Sequence, residues 1–147
     1  MVVPVRDGVA HLADALQSVL EQVPPPDDVV VVDGGSTDGS AELARTFAGV
    51  RVVTQTGTGL GQARNQGVAE VAGELVAFCD ADDRWPPGSL AARTEAFERD
   101  ADAAAVVGQV TTRELDGEQV PALHAAALGR RRPGWTPGAL LVRRSTF

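Results

Sequence analysis

Lysine is absent from this sequence, so all 13 basic side chains are arginines. A phosphoacceptor domain sets a lysine beside its strand-end aspartate, and that class is thereby disfavoured. Cysteine is nearly absent too. Cys79 stands alone, which excludes an internal disulfide and points to a reducing compartment; we expect a cytoplasmic protein. It falls within the apolar run 75–79 and reads as an inert core thiol. The two histidines, His11 and His124, lie in unrelated segments, so zinc-ligand spacing is missing. Long apolar runs are also missing. The longest cover residues 29–32, 75–79 and 103–107, far short of the roughly 20 residues a membrane helix needs. Pro4, Arg6 and Asp7 interrupt the first apolar stretch, so we expect no signal peptide and no need for a membrane. Positive charge is in deficit as well, with 20 acidic against 13 basic residues and a net charge of -7. Such a chain has no general attraction for nucleic acid or anionic lipid. It also repels phosphates, unless a metal or local basic groups intervene.

What is present is a valine- and alanine-rich chain of 147 residues, 44% hydrophobic. That suits a single α/β domain over residues 1–147 with a core of its own. Residues 1–5 read as a strand broken by Arg6-Asp7-Gly8. Leu12, Leu16, Val19, Leu20 and Val23 then share one helical face, and Pro24-Pro25-Pro26 ends that helix. Residues 29–32 are β-branched throughout, as in a strand buried on both faces. The turn-rich loop Asp33-Gly34-Gly35-Ser36-Thr37-Asp38-Gly39 follows, with capping residues for a helix carrying Leu43 and Phe47. Further strands are expected at 50–54, 75–79, 103–111 and 138–142. Helices are expected after the glycine-rich loop 57–61, with Ala63, Val68 and Val71 inward, and after Pro86-Pro87, with Leu90, Thr94 and Phe97 along it.

Strands alternating with helices imply a mostly parallel, Rossmann-like sheet with helices on both faces. Ligands of such sheets bind beyond the carboxyl ends of the strands. Asp7, Asp33, Asp38, Asp80, Asp82 and Asp83 all fall there. Clustered carboxylates repel one another unless a cation or hydrogen-bond donors compensate. Hard divalent ions such as Mn²⁺ or Mg²⁺ accept such oxygen ligands, often one or two carboxylates together with substrate phosphates. In Asp80-Ala81-Asp82 an extended backbone points both carboxylates the same way. The triplet alone is a weak signal, since a turn after a strand, with Asp83 capping the next helix, uses the same residues.

Four segments taken together are more specific. Val3-Pro4-Val5-Arg6-Asp7-Gly8 resembles the first strand and turn of family 2 glycosyltransferases. Val31-Val32-Asp33-Gly34-Gly35-Ser36-Thr37-Asp38-Gly39 resembles their Val-Asp-Asp-Gly-Ser-Thr-Asp-Gly signature. Ala63-Arg64-Asn65-Gln66-Gly67 is similar to their Ala-Arg-Asn-x-Gly helix. Gly73-Glu74-Leu75-Val76-Ala77-Phe78-Cys79-Asp80-Ala81-Asp82-Asp83 is similar to their Gly-Glu-(apolar)-Phe-Leu-Asp-Ala-Asp-Asp strand. All four occur in the family's order, from Val2 to about Phe97.

The resemblance implies a GT-A fold and transfer of a sugar from a nucleotide donor, UDP-sugar first among them, with inversion and with Mn²⁺ or Mg²⁺. Pro4, Val5 and Arg6 would border the nucleotide, and Asp33 would accept a hydrogen bond from the base. Arg64 would lie near base or phosphate, where an ordinary surface ion pair is the plain alternative. Asp80 and Ala81 would face the ribose, and Asp82, with Asp80, would hold the metal. Residues 1–100 would form the donor part and 101–147 an incomplete start of the acceptor side; the acceptor itself, whether sugar, lipid or protein, is open. Gly34 stands where the family usually has Asp, and Asp7 where it usually has Asn. The family's general base usually follows a segment like Gly138-Ala139-Leu140-Leu141-Val142-Arg143-Arg144, and no residue here matches it. We therefore expect nucleotide binding with little transfer. Glu114, Asp116 and Glu118 read as a solvated turn.

Two other readings remain. Gly57-Thr58-Gly59-Leu60-Gly61 superficially resembles a nicotinamide-binding fingerprint, but it follows the third strand and puts Arg64 where a third glycine belongs. A non-catalytic nucleotide-sugar-binding or interaction module is the stronger alternative. Arg130-Arg131-Arg132 is either a solvated loop or a reach toward diphosphate or an anionic acceptor. Trp135 would line an acceptor cleft or cover an exposed core edge.

Overall fold

The computed structural model describes residues 1–112 and 128–147. The central sheet begins with three parallel strands, β1 (Val2–Val5), β2 (Val29–Asp33) and β3 (Val50–Thr54), in the order β1-β2-β3. β4 (Leu75–Ala77) lies on the other side of β1, through a parallel bridge between Val2 and Phe78 and a hydrogen bond from Cys79 N–H to Val2 O. The chain thus moves outward from β1 to β3 and then returns across β1. That reversal is a switch point, which opens a crevice beyond the carboxyl ends of β1 and β4.

Alternation in β2 shows how two faces are covered. Val29 and Val31 point into one core with Leu12, Leu16, Val19, Trp85 and Phe97. Val30 and Val32 point into the other with Ala63, Val68 and Phe78. Helices α1 (Val9–Leu20), α2 (Ser40–Arg45) and α4 (Ser89–Arg99) cover the first face, and α3 (Leu60–Glu70) covers the second. Leu12, Ala15, Leu16 and Val19 are the buried face of α1, as the spacing predicts. Val23 departs from that expectation. It lies beyond the helix and is 77% exposed.

Gly67 in α3 lets the helix settle on the sheet. A Cβ there would stand 2.2 Å from Val2 Cγ1, well inside contact distance, so the glycine of Ala-Arg-Asn-x-Gly is required for packing.

The second half differs from the expectation in two ways. β8 (Leu140–Arg143) runs antiparallel to both β4 and β5 (Ala105–Val107), so that edge of the sheet is mixed. The strand expected at 103–111 is two strands, β5 and β6 (Gln109–Thr111), broken at Gly108; β6 pairs with β7 (Arg131–Pro133) instead. The chain changes partner strand at Gly108: its N–H donates to Ala139 O, in line with the β5–β8 register, and its carbonyl accepts Gly134 N–H, in line with the β6–β7 register. A Cβ at position 108 would also meet Arg93 Nη2 at 2.2 Å, so only glycine fits there. Residues 137–139 form a 3₁₀ turn ahead of β8 rather than strand. Among the described residues no helix is long and apolar enough to cross a membrane.

Candidate functional site

A cavity of about 430 Å³ sits at the switch point. Its walls are Pro4 and Val5 at the end of β1, Arg6, Asp7 and Gly8 of the β1–α1 turn, His11 of α1, Asp80, Ala81 and Asp82 of the loop after β4, and Leu60 at the start of α3. Six sequence-predicted residues therefore meet at one place: Pro4, Val5, Arg6, Asp80, Ala81 and Asp82. His11 and Leu60 were not foreseen. The signal for His11 was available, since it lies one turn into the helix that leaves β1.

The β1–α1 turn is built by its neighbour loop. Asp7 N–H donates to Ser36 Oγ at 2.9 Å, and Thr37 N–H donates to Asp7 Oδ1 at 2.8 Å. Asp7 has φ +51°, a left-handed conformation that Asp and Asn tolerate better than most residues. Gly8 N–H donates to the buried Ser40 Oγ, and Val9 N–H donates to Asp38 Oδ2 at 2.8 Å. Asp38 therefore caps α1 from the neighbouring β2–α2 loop, besides accepting from Ser40. The Ser40 hydroxyl, then the Val9 N–H, hold its carboxyl below the usual range. The polar signature loop owes much of its composition to this tie between two loops.

Asp33 and Arg64 do not line the cavity. Asp33 is 6% exposed, pairs in register with Val5, and accepts Ser36 N–H at 3.2 and 3.3 Å. Arg64 Nη2 donates to Asp80 Oδ1 at 2.6 Å. The pair is mostly buried, unlike a surface ion pair. Arg64 Nε is the one buried side-chain polar atom among the described residues that makes no hydrogen bond.

Asp80, Asp82 and Asp83 crowd one short loop. Asp83 is raised to about 6, first by desolvation of its carboxyl, then by Asp82 and Asp80, with Arg64 pulling the other way. The residue as a whole is exposed, but its Oδ2 lies against Gly138, where a Cβ would stand 3.0 Å away. Asp83 does not cap the next helix; α4 begins at Ser89 behind Gly88. Among the described residues no group of three or more His, Cys, Asp or Glu converges as a metal cage. Two carboxylates facing an open cavity, under mutual repulsion that a dication relieves, still fit an ion whose other positions a diphosphate fills.

Arg131 and Arg132 lie exposed in β7, and neither they nor Arg130 line the cavity. Trp135 is 82% exposed. Glu114, Asp116, Glu118 and His124 lie outside the described residues.

Comparison with known proteins agrees with the geometry. The family model described as Glycosyl transferase family 2 matches residues 1–144. An uncharacterized glycosyltransferase of Nostoc sp. is 38% identical over 93 residues, covering 60% of this chain and 29% of that protein. The chain thus spans under a third of that relative's length. Staphylococcus aureus TarS in complex with UDP-GlcNAc superposes with TM-score 0.65 at 24% identity, covering 82% of this chain and 36% of that one. Glucosyl-3-phosphoglycerate synthase from Mycobacterium tuberculosis, in complex with UDP, gives TM-score 0.67 at 21% identity, covering 98% and 56%. These likenesses establish the GT-A fold.

Proposed function

The chain belongs to glycosyl transferase family 2, and from that membership we propose that it forms the donor-binding part of an enzyme moving a sugar from a nucleoside diphosphate to an acceptor. The observation that carries the reading is the meeting of Pro4, Val5 and Arg6 with Asp80, Ala81 and Asp82 around one cavity at the switch point. In an acidic chain, a diphosphate needs positive charge there. Asp82, with Asp80, would hold Mn²⁺ or Mg²⁺. Bound there, the ion supplies Lewis-acid stabilisation of the departing diphosphate.

The chain's own residues position the donor. Pro4, Val5 and Arg6 border the nucleotide, with Arg6 beside its phosphates. Asp33 accepts from the base, on the strand next to Val5. Asp80 and Ala81 face the ribose, and Arg64 holds Asp80 in place from behind. Similar structures in complex with UDP-GlcNAc or UDP support a uridine donor. Inverting transfer further needs a base for the acceptor hydroxyl, a role given to none of the cavity carboxylates.

A thermal-shift series on the full chain with UDP, GDP and ADP, in Mn²⁺ and in EDTA, tests the reading. UDP with Mn²⁺ at 100 times its Kd stabilises by about 2.7 kcal/mol, a rise of several degrees that EDTA largely removes. A melting temperature indifferent to every nucleotide with metal overturns it.

A further inference from the structure

Arg93 carries a positive charge into the interior. It lies on α4 one turn before Phe97, in a row where an apolar side chain would fit, and is 8% exposed. Among the described residues its hydrogen bonds go to backbone carbonyls rather than to a carboxylate. Nε donates to Ala139 O at 3.3 Å and Nη1 donates to Ser89 O at 2.9 Å. Its guanidinium carbon stands 4.2 Å from the centre of the Trp85 ring. Gly108 leaves the space that the guanidinium fills.

Trp85 is the far anchor of the acidic loop. Its indole N–H donates to Phe78 O at 3.2 Å. Phe78 precedes Asp80 and Trp85 follows Asp83, so this bond closes the loop at a fixed span. α1 and the turn after it hold the Trp85 backbone as well. Its N–H donates to Ser18 Oγ at 3.0 Å, and its carbonyl and that of Pro86 accept from Gln22 Nε2 at 3.3 and 3.1 Å. Arg93 then closes the remaining side. It stacks on the indole and holds the carbonyl of Ala139, next to Gly138, which lies against Asp83 Oδ2.

We propose that Arg93 is a positioning residue for the acidic loop, fixing Trp85 and the Pro137–Ala139 turn so that Asp80 and Asp82 meet a metal-bound diphosphate in one geometry. This rests on the functional reading above. Burying a cation that no carboxylate pairs among the described residues is a poor way to gain stability, and an apolar residue of similar volume is often as good or better. An apolar residue, however, cannot add a second donor from α4 to the Ala139 carbonyl beside the Gly108 N–H. The charge is kept where it joins α4, the loop and the turn before β8.

The test is calorimetric titration of the full chain with UDP in saturating Mn²⁺ and with uridine alone, for the wild type, Arg93→Met and Arg93→Lys. Arg93→Met, checked for folding by circular dichroism, loses about 10- to 100-fold in UDP–Mn²⁺ affinity, the range seen when support behind a metal ligand is removed. Its affinity for uridine is unchanged, and Arg93→Lys restores part of the loss. A folded Arg93→Met that binds UDP–Mn²⁺ like wild type overturns the proposal, as does an equal loss for uridine and UDP. If Arg93→Met does not fold, Gly108→Ala decides, because its Cβ displaces the guanidinium from the opposite side. The same selective loss supports the role, and unchanged UDP–Mn²⁺ affinity overturns it. A wild-type chain that binds uridine but gains nothing from Mn²⁺ and diphosphate overturns the functional reading itself, and this inference with it.

Discussion

Arg64 Nη2 and Asp80 Oδ1 are 2.6 Å apart, joining α3 to the end of β4. One oxygen of Asp80 is therefore already engaged by a cation, whereas among the described residues no ion pair engages Asp82. The two carboxylates of the triplet are not equivalent. Asp82 has the freer charge and, on the proposed reading, would be the stronger anchor for a dication. We expect Asp82→Asn to cost at least about tenfold in UDP affinity with Mn²⁺, or ~1.4 kcal/mol. Asp80→Asn costs less, because Arg64 has already offset part of that charge. Titration calorimetry of both variants checks the order, and a greater loss for Asp80→Asn refutes it.

Gly67 offers a test of packing with no ligand present. Replacing a helical glycine by alanine normally helps by about 0.5–1 kcal/mol. Here the new Cβ would lie 2.2 Å from Cγ1 of Val2, the first residue of β1. Overpacking of that kind costs about 1–3 kcal/mol, so the clash decides the sign. Gly67→Ala is expected to lower the urea midpoint without changing its slope. A midpoint at or above that of wild type contradicts the close helix-to-sheet approach.

Asp28 links stability to pH. Arg51 Nε and Nη2 donate to its two oxygens at 3.2 and 2.9 Å. The Arg51 hydrogen bonds, partly opposed by burial, hold its carboxyl below the usual aspartate range. A depressed folded pKa means the contribution is complete above the unfolded pKa and disappears as pH falls through the folded one. Both partners are partly exposed, so the pair is worth about 0.2–1 kcal/mol. Asp28→Asn is expected to destabilise by that amount at pH 7, with the difference from wild type shrinking as the pH falls through and below the ordinary aspartate range. Urea denaturation of both proteins from pH 7 to pH 2.5 measures it. A difference that persists undiminished at the acid end rules out this linkage.

Short-range pattern made most of the first half legible. The β-branched run of β2 and the face Leu12, Leu16 and Val19 are local properties, and the structure uses both. The meeting of Arg6 with Asp82 followed from topology, because strand ends at a switch point must share a crevice. What escaped the sequence was set by distant partners. Arg93 is buried because Gly108, Trp85 and Ala139 leave room and acceptors for it, and no periodicity in α4 announces that. The break between β5 and β6 is likewise set at a distance, by the change of partner from β8 to β7 at Gly108. Asp38 looked like a cap for the helix that follows it, yet it also caps α1, a contact that depends on how two loops lie together.

Cys79 closes the set with a prediction about reactivity. It is fully buried between Phe78 and Asp80 in the core. Burial first, then the charges of Asp83, Asp80 and Asp82, push its thiol far above the ordinary range. Nucleophilic attack requires the thiolate, so both access and ionisation oppose reaction. In native buffer at pH 8, dithionitrobenzoate should release no thiol signal over the time in which the urea-unfolded chain reacts completely. The rate should then follow the unfolded fraction as urea rises. Prompt labelling of the folded chain would mean that the loop beginning at Asp80 opens readily, contrary to the anchoring of Trp85 by Ser18, Gln22 and Phe78.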